Sequence, residues 1–107
     1  MVIFFFQKLN KIENLGVFPL GMVLKRRPED VLKIGMKAKI NGKIVEVVGI
    51  EYDHMDIKVL VHGQPALLVL AIKDKKKRNK LGEKTEEEIN EEENLLKDCI
   101  GKEIEFS

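Results

Sequence analysis

Apolar residues fill the first seventy or so residues in short runs, some continuous and some alternating with polar residues at every second position, cut by Gly, Asn, Asp and Pro. That period is the signature of half-buried strands, and the cuts are turn chemistry. Residues 2–8, rich in Phe, predict a first strand that is buried or docked on both faces. Residues 9–14 are polar and turn-like. Residues 16–27 predict a second strand; Pro19 and Gly21 inside it call for an edge, a kink or a bulge. Residues 36–40 alternate cleanly, with Met36, Ala38 and Ile40 on one face. Asn41-Gly42 follows at once and predicts a type I′ hairpin turn, since both positions favour positive φ.

The return strand, residues 43–52, sets Ile44, Glu46, Val48, Ile50 and Tyr52 against Val45, Val47, Gly49 and Glu51. Gly49 in its middle predicts a bulge or a barrel bend. After a turn at residues 53–56, Ile57, Val59 and Val61 read as the inward face of another strand. His62-Gly63-Gln64-Pro65 turns the chain back into residues 66–72, an almost uninterrupted apolar run expected to be the most buried strand. Residues 103–106 alternate as a closing strand. Short strands with no βαβ spacing predict an all-β fold: a small closed antiparallel barrel of six to seven strands with one late charged helix.

Beyond Ile72 the pattern gives way to charge. Residues 73–80, KDKKKRNK, hold six basic residues and one acid; residues 83–93, EKTEEEINEEE, hold seven Glu and one Lys. The second block predicts a helix, because Thr85 and Glu88 have capping-box spacing and Glu86, Glu87 and Glu88 suit the positive dipole end, as Lys97 suits the negative. Its apolar stripe is thin: Ile89, Leu95, Leu96 and Ile100. The 107 residues thus make one domain, with a barrel from 2–72 and 101–106 and a basic-loop-plus-acidic-helix insertion at 73–98.

Composition narrows the setting. The two charge blocks nearly cancel, leaving a net charge of +1. A charged content of 35% built on Lys and Glu is the bias of proteins from very hot environments. The single cysteine, Cys99, has no disulfide partner in the chain and reads as a semi-buried filler. The apolar start is six residues long, shorter than a signal peptide or a membrane span needs. These features predict a cytoplasmic protein with no membrane association.

Candidate chemistry is sparse. Glu51, Asp53, His54 and Asp56 could be imagined around a hard cation, yet Asp53 and Asp56 are ordinary turn formers, and no metal site is assigned. No Ser/His/Asp or Cys/His spacing serves catalysis, so neither an enzyme nor a cofactor is expected. The cationic run Lys73, Lys75, Lys76, Lys77, Arg78 and Lys80 is the candidate nucleic-acid contact, since dense cations displace phosphate counterions. Lys25, Arg26 and Arg27 would join it if they share its face. The alternative is a self-neutralising loop paired with the acidic helix, because no aromatic side chain interleaves with the lysines to stack on bases.

Residues 32–38 (LKIGMKA), 47–51 (VVGIE), His54 and 63–68 (GQPALL) together resemble the second, β-barrel domain of translational GTPases of the elongation factor Tu type. Residues 17–25 are similar to that family's hairpin arm and 101–104 to its closing strand. The arm's second glycine is missing, and residues 73–98 have no counterpart. No GxxxxGK[ST] loop is present, and Asn79-Lys80-Leu81-Gly82 ends in Gly where guanine reading needs Asp. The resemblance implies a stand-alone barrel without GTPase activity; in the family this domain packs against the GTPase domain and touches the aminoacyl end of tRNA or the ribosome, but no residue here matches a contact motif that would carry that role over. The expected function is a non-enzymatic binding module that contacts RNA or a ribonucleoprotein through the basic run, the alternative a module that docks a GTPase domain or other protein.

Overall fold

Val2, Phe4 and Phe6 point one way along strand β1 (Val2–Ile12), and all three are buried. In this computed structural model, which describes residues 1–24, 26–61, 63–72 and 83–107, that strand is the spine of a nearly closed antiparallel barrel. Its partner β2 (Gly16–Leu24) pairs with it along its whole length, from Ile3 opposite Leu24 to Ile12 opposite Gly16. Residues 9–12, expected to begin a turn, therefore extend. Long-range pairing overrides their weak local preference, and the chain reverses at 13–15, where Asn14 takes φ 67°.

Around the barrel, β4 (Lys37–Ile40), β5 (Lys43–Tyr52), β8 (Ala66–Ile72), β2, β1 and β9 (Glu103–Phe106) follow one another. The circle is completed where Lys37 and Ser107 exchange two backbone hydrogen bonds of 2.8 and 2.9 Å. A short β6 (Met55–Ile57) folds back on β5, while β3 (Leu32–Lys33) and β7 (Val59–Leu60) form a separate two-stranded ribbon. The Asn41-Gly42 turn is left-handed at both positions, φ 49° and 81°. Phe4 packs edge-to-face on Phe6 and on Phe106, with centroids 5.5 and 6.5 Å apart, the favoured aromatic geometry.

Two bulges curve the wall. One lies between Phe6 and Lys8, opposite Gly21 and Leu20. A Cβ on Gly21 would stand 1.9 Å from the Phe5 carbonyl oxygen, so only glycine lets the strands approach there. The other lies between Val47 and Gly49. It reverses the facing of β5: Val45 and Val47 are buried before it and Ile50 after it, while Val48 is turned out. Simple alternation put Val48 and Ile50 on one side, and the extra residue separates them. Pro19 sits on the stretch of β2 that β8 does not pair; Val17 N–H points away from β1, and alternation gives the missing Pro19 donor the same direction.

Each mouth is stopped. Helix α1 (Glu86–Leu96) runs from the β1–β2 turn, where Lys84 N–H donates to the Asn14 carbonyl, to the β4–β5 turn, where Asn41 Nδ2 donates to the Leu95 carbonyl. Its capping box is complete: Glu88 N–H donates to Thr85 Oγ1 at 3.1 Å and Thr85 N–H to Glu88 Oε1 at 2.9 Å. A 3-10 turn, Lys97–Cys99, then rotates Cys99 into the core, leaving Ile100 outside where the stripe had it inward. At the far mouth the β3–β7 ribbon inserts Leu32 and Leu60, both fully buried. Val59 and Val61 are consequently exposed, contrary to the pattern-based expectation that they face inward. A two-residue ribbon laid across a mouth presents Leu60 to the core instead.

Candidate functional site

The six cations singled out by sequence, Lys73, Lys75, Lys76, Lys77, Arg78 and Lys80, lie outside the described residues, as do Lys25 and His62. Their flanks are fixed. On one side Ile72 ends β8 opposite Val45; on the other, Lys84 is tied to Asn14 and the helix cap begins at Thr85. Both anchors lie at the helix-covered mouth. The exposed helix face there carries Glu86, Glu87 and Glu91, and Lys11 reaches up to Asn90 and Glu93 at 3.2 and 3.3 Å.

Beneath the helix one carboxylate is buried. Glu92 falls in line with Ile89 and Leu96, inside the apolar stripe, and is 4% exposed. It accepts the Val17 N–H at 3.2 Å and pairs with the Lys84 ammonium, itself largely buried. Gly16 makes room for the pair; a Cβ there would lie 2.9 Å from Lys84 Nζ and 3.0 Å from Glu92 Oε1. The sequence reading missed Glu92 because Glu is almost never buried alone. The legible signal was its spacing, three after Ile89 and four before Leu96.

Arg26 and Arg27 stand beyond Leu24, at the mouth opposite both anchors, so the fold does not gather them with the flanks of residues 73–80. Each is engaged: Arg26 with Glu103 at 2.9 Å, Arg27 with Glu29 and Asp30 at 3.6 Å. Asp30, buried, accepts the Arg26 and Arg27 amides at 3.0 and 2.9 Å and so staples the loop. The Arg26 amide bond holds its carboxyl below the usual range against the opposing effect of burial, with the Arg27 amide and charge assisting. Burial pushes the Cys99 thiol up, with Lys102 opposing and Asp98 assisting, which keeps it a protonated core residue.

Asp53 and His54 are the two central residues of a tight β5–β6 turn, with φ 51° and 64°. Among the described residues no three His, Cys, Asp or Glu side chains come together to hold a metal, and no helix is long and apolar enough to cross a membrane. The Val48 bulge instead opens a surface groove of about 530 Å³ lined by Ile34, Val48, Ile50, Asp56, Ile57 and Lys58. Ile34 and Val48 are 40% and 47% exposed, and Met55 and Val59 nearby in β6 and β7 are 66% and 47% exposed. No family model, curated protein or solved structure matches this chain.

Proposed function

We propose that the chain is a non-enzymatic binding module, a stand-alone barrel of the translation-factor type, that contacts RNA or a ribonucleoprotein through Lys73, Lys75, Lys76, Lys77, Arg78 and Lys80. The observation that carries this reading is a local charge of +5 over residues 73–80 strung between two anchored points of a filled barrel. With the core occupied by Phe4, Phe6, Phe106, Leu68 and their neighbours, the working surface of such a module is its exterior. Dense cations neutralise successive phosphates and release their counterions. Binding that rests on such counterion release is steeply salt-dependent.

Titration of tRNA or ribosomal RNA at about 50 mM salt should give binding that falls by orders of magnitude by about 200 mM. Lys76→Glu with Lys77→Glu should abolish it without moving the unfolding midpoint, since exposed charges contribute little to stability. Absence of binding at low salt refutes the reading. One observation, the apolar groove at the Val48 bulge, favours a second reading in which the module docks protein.

A further inference from the structure

We infer that the groove at the Val48 bulge is a self-association surface, and that its occupant is the same groove of a second copy of this chain, related by a two-fold axis. This goes beyond RNA contact and uses a different part of the molecule, at the mouth opposite the one where Ile72 and Lys84 lie.

Three features converge there. First, apolar side chains are exposed together: Ile34 and Val48 line the groove, while β6 and β7 beside it show Met55 and Val59. A concentrated apolar patch on a chain this small marks an interaction site. Second, its charges are self-complementary. Among the described residues the groove is lined by one carboxylate, Asp56, and one ammonium, Lys58, two residues apart in the chain. An isologous contact meets its own image, so a patch with one charge of each sign can satisfy both across the axis. A uniformly acidic or basic partner would leave one of them opposed.

Third, Asp56 faces Glu51 directly across the β5–β6 pair. Like charges at such a position are destabilising, and a cation set between them removes the penalty. The second copy's Lys58, brought against Asp56, supplies it. Ile34 and Val48 of each copy then fill the apolar floor of the other, with Asp56–Lys58 ion pairs at the rim. Electrostatic matching of this kind fixes register more than it sets affinity.

Sedimentation equilibrium of the full chain from about 1 μM to 1 mM, the span of weak to moderate affinities, should show a monomer–dimer equilibrium. Val48→Asp should leave the far-UV circular dichroism unchanged and shift the chain to monomer. Asp56→Lys or Lys58→Asp alone should weaken the dimer about tenfold or more, like charges then meeting across the axis. The two together should restore it, and this restoration separates a facing pair from a general loss of stability. A monomer across the whole range overturns the proposal, as does a dimer that ignores Val48→Asp and the charge exchange. RNA binding should survive every one of these variants, so the two readings fail independently.

Discussion

Replacing Glu92 by Leu tests how α1 is held over the barrel mouth. The substitution removes the carboxylate that receives the Val17 N–H at 3.2 Å and faces the Lys84 ammonium, whose side chain is 13% exposed. Breaking one half of a buried ion pair costs about 3–5 kcal/mol, because the other charge is left without compensation. An orphaned buried N–H adds about 1–3 kcal/mol, and partial escape of the Lys84 chain to water subtracts from the sum. A net loss of about 4 kcal/mol is expected, a large share of the roughly 5–15 kcal/mol typical of a domain. Urea unfolding followed by far-UV circular dichroism measures it. Lys84→Met combined with Glu92→Leu should recover the ion-pair part of the loss, since an apolar pair of similar volume is often neutral or better, and leave only the cost of the unpaired Val17 N–H. High salt should not mimic the single change, because the pair is shielded from ions. A Glu92→Leu loss below about 1 kcal/mol, or a double variant no better than the single, refutes the argument.

Gly21→Ala forces a Cβ to within 1.9 Å of the Phe5 carbonyl oxygen and 2.7 Å of the Phe4 ring. Because the nearest obstacle is backbone, unfolding should be easier by about 3 kcal/mol or more. Gly49→Ala, which meets only the Val69 side chain at 3.0 Å, should cost less, and thermal midpoints will rank the two. For Asp30, a folded pKa held below the ordinary carboxylate value of about 3.9 gives stabilisation that is complete above that value and disappears as pH falls through the folded one. The urea midpoint of the native chain should exceed that of Asp30→Asn at pH 7 and converge on it in acid; a gap that widens on acidification would contradict the staple.

Much of the barrel could be read one stretch at a time. Asn41-Gly42 needs no tertiary help to prefer its turn, and Thr85 with Glu88 caps α1 through bonds confined to four residues. Gly49 announced its bulge because a glycine inside a β-branched run has few other uses. The misreadings fall where a distant partner decides. Residues 9–12 extend because β2 lies alongside them. Val59 and Val61 lost the core to Leu60 because β7 pairs with β3 across a mouth and never joins the wall. Val48 lies outside because the bulge shifts the count by one, a displacement that alternation cannot place.

The sequence by itself determined an all-β chain of short strands with tight turns, a capped acidic helix, and a basic run between them, since periodicity, turn preference and capping are local. Only the tertiary structure decided that Glu92 is buried with Lys84 under the helix, that Arg26 and Arg27 stand at the mouth opposite the anchors of the basic run, and that the Val48 groove holds Asp56 and Lys58 together. Those three facts depend on which strands meet and in what register. Register is set by the packing of the whole core, and no single stretch of the chain contains it.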